Sequence, residues 1–264
     1  MIRSLYTAAT GMLAQQINQD VVANNLANVQ TPGFKSSRAE FQDLMYQVSR
    51  QAGVQTTSGT ALPLGMEVGL GSKLTSIQKT FTQGDYQQTG NRFDWAIEGD
   101  GFFQIDDGNG KTLYTRAGSW KISKDLYLVN SEGLKLTPEV TVPAGTVTFT
   151  VDAGGTWTAK DKGGSTLASG RLELAKFANP AGLTNLGRNL YARTDGSGDP
   201  VTGNPDTEGF GTISQTFLEM SNVNVVDEMV QMIVGQRAYK ISGTRNIAKK
   251  TASHIFCFFV ISFC

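Results

Sequence analysis

Apolar residues recur at helical spacing near both ends of this chain and at strand spacing between them. Ile2, Leu5, Ala9, Met12, Leu13 and Ile17 fall at intervals of three and four, which puts one apolar stripe on an N-terminal helix. Thr31-Pro32-Gly33 predicts its stop, because Pro32 has no amide hydrogen and biases Thr31 away from helical angles. At the far end Val226, Met229, Val230, Ile233, Val234 and Ala238 repeat the spacing. Ser221, Asn222 and Asn224 are candidate N-caps for this second helix. Asp227 and Glu228 fall in its first turn, where the helix dipole favours negative charge; Arg237 and Lys240 come later, where positive charge is favoured. A stripe at each end and little helical periodicity between them suggest two terminal helices that pair, and a lone amphipathic helix must dock its apolar face on a body, on the other helix or on another chain.

The middle of the chain reads differently. Residues 36–45 fit a short helix or an extended arm, and residues 46–66 are rich in Gln, Thr, Ser and Gly, as a linker is. From about Met66 the pattern is short strands separated by Gly with Asp or Asn. Val68–Ile77, Trp95-Ala96-Ile97, Phe102–Ile105, Thr112–Thr115, Trp120-Lys121-Ile122 and Leu126–Val129 form one series. Val140–Val142, Val147–Val151 and Leu172–Phe177 continue it, Asp195–Asp206 reads as a polar loop, and Gly211–Glu219 reads as a last strand. This spacing is that of antiparallel hairpins. The expected fold class is α+β. Discontinuous terminal helices (1–35 with 220–264) form a coiled-coil-like domain, 36–66 is a linker arm, and 67–219 is a mostly antiparallel all-β domain.

Composition removes several chemistries. Lys plus Arg and Asp plus Glu are both 23, so the formal charge is zero. That disfavours electrostatic nucleic-acid binding and suits a chain that packs against copies of itself. Cys257, Cys264 and the single histidine, His254, all lie near the C-terminus. The body therefore lacks the thiol and imidazole of most hydrolases and of a Cys/His zinc site. Gly110-Lys111-Thr112 fails as a phosphate loop because Ile105 stands where Gly is needed. Asp106-Asp107 and Asp195/Asp199 lack the ligand spacing of a calcium loop, and Gly99-Asp100-Gly101 lacks the third Gly of a dinucleotide fingerprint. Arg116 is expected to anchor a carboxylate structurally, Asp94 or Glu98. No cofactor, no metal and no catalytic residue are expected. A glycan-binding module or a glycosidase using paired carboxylates is the alternative class.

Four stretches carry a family resemblance: Asn24–Lys35 (NNLANVQTPGFK), Ala96–Phe103 (AIEGDGFF), Tyr114–Ser119 (YTRAGS) and Ser221–Tyr239 (SNVNVVDEMVQMIVGQRAY). Together, in this order, they resemble the flagellar rod and hook family of axial proteins, from Met1 to about Ile241. Tyr46–Pro63 resembles the insert that marks the distal rod members against the proximal rod and hook members. The resemblance implies a non-enzymatic structural subunit of the basal-body distal rod, polymerised into a helical tube that transmits torque from motor to hook. A proximal rod or hook-type axial protein is the runner-up within the family. It implies as partners other copies of the chain, proximal rod proteins, the hook protein, the P-ring and L-ring proteins and the flagellar export apparatus, with no nucleic acid. It implies a rod crossing the periplasm and type III export without a cleaved signal, and no apolar signal-peptide stretch follows Arg3. It also implies that Asn24, Asn25, Leu26, Asn28, Gly33, Phe34, Val226, Met229, Ile233, Gln236, Arg237 and Tyr239 form the subunit interface.

The last residues depart from that family. Gly243-Thr244-Arg245-Asn246 is expected to interrupt the helix, and Ile255–Cys264 (IFCFFVISFC) is an apolar run too short to span a bilayer. Its low charge and high β-propensity are those of an aggregating segment. A reading frame shifted near Ile241–Gly243 is the expectation, and a hydrophobic contact surface the alternative.

Overall fold

The computed structural model describes residues 2–51, 64–108, 110–207 and 209–261, with residues 2 and 244–261 as backbone. Two helices and a strand-rich, largely antiparallel body make an α+β protein. The chain divides into two compact units: Met1–Leu26 with Ser37–Gln78 and Val225–Cys264, and Ala27–Ser36 with Lys79–Asn224. Strands within 66–78 thus belong with the terminal segments rather than opening the β-rich domain.

In the first unit α1 (Ile2–Ala27) and α2 (Val225–Ile261) run antiparallel. Asn25 Nδ2 donates to Glu228 Oε1 at 3.0 Å, and further along a Cβ on Gly235 would lie 3.3 Å from Gln19 Cγ. The helices therefore meet at a hydrogen-bonded pair and at a glycine, Gly235, which is buried. The apolar stripes are not what joins them. Leu5 and Leu13 on α1 and Val226, Met229, Val230, Ile233 and Val234 on α2 all stay exposed.

Two more expectations about α2 need correcting. It runs through Gly243 without a break, so Arg237 and Lys240 sit in mid-helix and its last turn carries no base. A single Gly costs about 1 kcal/mol relative to Ala, too little to stop a helix flanked by Ile241 and by the good helix formers Ala248, Lys249 and Lys250. Candidate N-cap Asn222 commits its side chain to Ser36, Thr80 and Thr82 instead of to the helix. The side chains of 255–261 and all of residues 262–264 lie outside what the structure describes.

Residues 36–45 are extended, with strand Ser37–Asp43 paired to Ser72–Lys79. Strand Tyr46–Arg50 pairs antiparallel with Met66–Gly69, so the linker arm is a two-stranded ribbon; residues 52–63 lie outside the described residues.

The second unit is built on strand Phe102–Asp106, which pairs with Thr112–Thr115, Lys135–Thr137 and Leu174–Lys176 in a nine-stranded sheet. Adjacent strand residues point to opposite faces. Phe103 joins one cluster with Trp95, Ile97, Trp120 and Phe149, while Phe102 joins another with Tyr114, Phe177 and Tyr191. Burial on both faces explains why Phe102 and Phe103 stand side by side, and Gln104 is buried with them. Trp95 is 0 % exposed and stacks on Phe149 at 6.0 Å, and Phe149 stacks in turn on Trp157 at 5.9 Å.

Several strands were not predicted: Lys135–Thr137, Thr156–Lys160, Thr166–Arg171, Thr184–Gly187, Leu190–Ala192, and Val201–Gly203 inside the expected polar loop. Conversely Val140–Val142 makes only an isolated bridge, Tyr127 to Thr141. The expected last strand is two, Thr212–Gln215 and Phe217–Glu219. Thr216, at φ 68°, turns the chain between them, and its amide donates to the Asp94 carbonyl at 2.8 Å.

Because Trp95 anchors the aromatic stack, Trp95→Ala should lower the unfolding free energy of the β-rich unit by about 3–5 kcal/mol. Urea titration followed by the remaining aromatic signal measures it, and a loss under about 1.5 kcal/mol, the size of a tolerated core swap, would contradict the packing described.

Candidate assembly site

Strand Phe217–Glu219 pairs with Tyr86–Gln88 and carries Glu219 into the interior. Glu219 Oε1 accepts from Lys35 Nζ at 2.6 Å and from the Gly84 amide at 3.1 Å. Its Oε2 lies 3.5 Å from Arg116 Nη1. Lys35 also donates to the Thr82 carbonyl at 2.7 Å, and Arg116 to the carbonyls of Ile97 at 3.3 Å and Gly99 at 2.7 Å. Lys35 and Glu219 are both 0 % exposed. Arg116 thus meets Glu219, not Asp94 or Glu98. Asp94 accepts instead from Thr89 and Asn91, and Glu98 from Ser214. Burial holds both the Lys35 ammonium and the Arg116 guanidinium below their ordinary pKa, and the Glu219 charge opposes that only in part.

This knot fixes the turn that follows α1. The Gly33 amide donates to the Glu219 carbonyl at 2.8 Å, and Asn189 Nδ2 donates to the Pro32 carbonyl at 2.9 Å. Gly33 has φ 72°, and a Cβ there would lie 2.6 Å from the Ala117 amide nitrogen. No other residue fits both conditions. Phe34 is buried beside it, with Lys79 Nζ 4.5 Å from its ring centre.

Two asparagines hold backbone by donating and accepting at once, which Asp cannot do. In the first unit Asn25 Nδ2 donates to the Ser37 carbonyl at 2.9 Å while Oδ1 accepts from the Ser37 amide at 2.9 Å. In the second, Asn222 Oδ1 accepts from the Ser36 amide at 2.7 Å and Nδ2 donates to the Thr80 carbonyl at 2.8 Å.

The twelve residues expected at an interface therefore separate. Asn25, Gly33 and Phe34 are buried within the chain, and Leu26 and Asn28 are half-buried, with Asn28 Oδ1 accepting from Thr31. Asn24, Val226, Met229, Ile233, Gln236, Arg237 and Tyr239 are exposed. Lys35, Glu219 and Asn222 were missed as structural centres. The available signal was a lone carboxylate between Leu218 and Met220 in an otherwise apolar strand. Among the described residues no three His, Cys, Asp or Glu side chains converge as a metal site would need.

The sequence matches known proteins in three segments. Residues 5–35 match the family described as Flagella basal body rod protein, 96–159 the flagellar hook protein FlgE/F/G D1 domain, and 214–242 the flagellar basal body rod FlgEFG protein C-terminal domain. The three segments define an axial protein of the rod and hook class. The flagellar basal-body rod protein FlgG of Borreliella burgdorferi is 46 % identical over 92 % of this chain and 92 % of its own length. Those of Buchnera aphidicola and Agrobacterium fabrum are each 42 % identical, over 92 % and 91 % of this chain and 94 % and 93 % of their own. The chain belongs to the family of flagellar basal-body rod proteins FlgG.

Removing the carboxylate would leave two buried cations uncompensated. Glu219→Gln should cost about 3–5 kcal/mol of unfolding free energy, and adding Lys35→Met should recover part of it. A loss of only about 1 kcal/mol, the size of an exposed pair, would show the knot to be solvated. Glu228 offers a pH test. Burial, with Asp227 adding to it and the Asn25 bond opposing, raises its pKa above the ordinary 4.5. The folded chain then holds the proton more tightly than the unfolded one. The resulting stability is fully present below pH 4.5 and is lost as pH rises through the raised value. Glu228→Gln should abolish that part of the pH dependence, followed by helical circular dichroism; an unchanged pH profile would contradict it.

Proposed function

We propose that this chain is a structural subunit of the distal segment of the flagellar basal-body rod and polymerises into a helical tube that transmits torque. One observation carries the reading: the α2 stripe of Val226, Met229, Val230, Ile233 and Val234 is 49–68 % exposed in the single chain. Leu5, Tyr6 and Leu13 are likewise exposed on α1. Apolar faces of this size need a partner, and copies of the same chain supply one. In the polymer the terminal helices form a coiled-coil-like inner layer, and Asn24, Gln236, Arg237 and Tyr239 flank the apolar contacts. The ribbon Tyr46–Arg50 with Met66–Gly69 supports the distal assignment, since it frames the insert that resembles that of distal members. Torque passes through many repeated contacts and needs no chemistry.

On this reading the neighbours along the axis are proximal rod proteins and the hook protein. The P-ring and L-ring proteins surround the tube where it crosses the periplasm, and the export apparatus delivers the chain without a cleaved signal.

Sedimentation at rising concentration tests the reading. The full chain should go to filaments, and Val230→Asp should keep it monomeric while leaving the melting of the β-rich unit unchanged. A chain that stays monomeric at every concentration, or a Val230→Asp variant that polymerises normally, would sink it.

A further inference from the structure

Two short segments of the β-rich unit lie next to the terminal helices along the chain. α1 ends at Ala27 and α2 opens at Val225. A few residues from those ends, residues 33–36 are bonded to residues 219–222. The Gly33 amide donates to the Glu219 carbonyl at 2.8 Å, Lys35 Nζ to Glu219 Oε1 at 2.6 Å and the Ser36 amide to Asn222 Oδ1 at 2.7 Å. Residue 33 is matched with 219 and residue 36 with 222, so the two segments run in the same direction. Thr80 bridges them: its amide donates to the Ser36 carbonyl and its carbonyl accepts from Asn222 Nδ2, both at 2.8 Å.

Direction decides how such a joint answers force. A pull through α1 draws residue 33 toward its N-terminal side, and a pull through α2 draws residue 222 toward its C-terminal side. Segments that run the same way then slide past each other, and all the bonds between them stretch together. Pulled from the same end, they peel, and each bond is loaded alone. Two features resist sliding. Lys35 and Glu219 have no exposed surface, so water does not compete for their bond as it would outside. Phe34 is buried, and a Cβ on Gly33 would lie 2.6 Å from the Ala117 amide nitrogen, so this backbone already sits close against its wall. A slip by one residue would draw Phe34 out of its packing and part Lys35 from Glu219.

We propose that residues 33–36 and 219–222 form a shear clamp that carries force between the two terminal segments of the chain. The proposal rests on the torque-transmitting reading, in which load enters each subunit through its terminal helices. It adds the joint inside the subunit that keeps the β-rich unit closed under that load.

Single-molecule pulling tests it in the full-length chain carrying Cys257→Ser and Cys264→Ser. Handles on Gln30→Cys and Val225→Cys, both exposed positions, load the clamp in shear. Handles on Arg38→Cys, also exposed, and Val225→Cys pull both segments from their C-terminal sides and peel it. The bonds are the same and only the direction of loading differs. Because three bonds share the load in shear, that geometry should rupture at a force at least about twofold above the peeling geometry. Asn222→Ala removes the links to Ser36 and Thr80 and should lower the shear force by about a third. Equal forces in the two geometries, or an Asn222→Ala chain as strong in shear as its parent, overturn the clamp. Both readouts come from single chains, so those results leave polymerisation standing. A chain that shows the force difference yet stays monomeric in sedimentation upholds the clamp and overturns the polymerisation reading alone.

Discussion

A carboxylate with no exposed surface dictates much of this architecture. Glu219 cannot stay ionised in the interior without cations and donors around it. They come from places far apart in sequence: Lys35, Gly84 and Arg116. Two of the resembling stretches, NNLANVQTPGFK and YTRAGS, each contribute one cation. The β-rich unit is thus incomplete without residues 27–36, which explains why this short piece groups with 79–224. A buried ion pair is poor evidence of stability, since an apolar replacement of equal volume often does as well. Its physical consequence is specificity: an interior carboxylate accepts only one arrangement of the segments that answer it, whereas an apolar core tolerates many.

The outline of the fold was legible because its signals are local. Periodicity of three and four located α1 and α2, and Pro32-Gly33 located the turn after α1. Alternation with Gly-Asp turns located most of the central strands. What escaped has physical reasons. Thr184–Gly187, with all four residues exposed, carries no burial pattern to read. Val201–Gly203 is a strand only because Leu174–Lys176 offers an edge to pair with, a long-range fact. The partner of Arg116 was sought among nearby carboxylates, and Glu219 lies more than a hundred residues away. The stripes on the terminal helices were legible as stripes, while a body, the other helix and another chain all stayed open as what each stripe meets. Spacing defines a face of a helix but not what that face meets.

That last point bears on how a monomer can carry so much exposed apolar surface. If the stripes had closed on each other inside one chain, nothing would remain to bind a neighbour. Gly235 against Gln19, and Asn25 with Glu228, bring the two helices together through small and hydrogen-bonded residues. The apolar stripes stay exposed. The asparagines fit the same logic. Asn25 orders the start of strand Ser37–Asp43 by matching the backbone of Ser37 at two points, without using any apolar area.

The tail after Ser242 poses a different problem. Family similarity through the C-terminal domain ends at residue 242, yet α2 continues to Ile261. At roughly 1.5 Å per residue, the extra length is close to 30 Å. Helix alone does not make a rod contact, because a docking face needs apolar and polar positions to alternate at helical spacing. Residues 225–241 have that spacing. Ile255–Ile261 is apolar at every position, Cys257 included, and so defines no single face. A segment of that kind can gain burial only where it is surrounded on all sides. The pairing of α1 with α2 covers one side of a helix at most, so continuity of the backbone past Gly243 leaves the departure in sequence as sharp as before. Of the two halves of α2, the one that precedes Gly243 is therefore the one whose spacing defines a single apolar face.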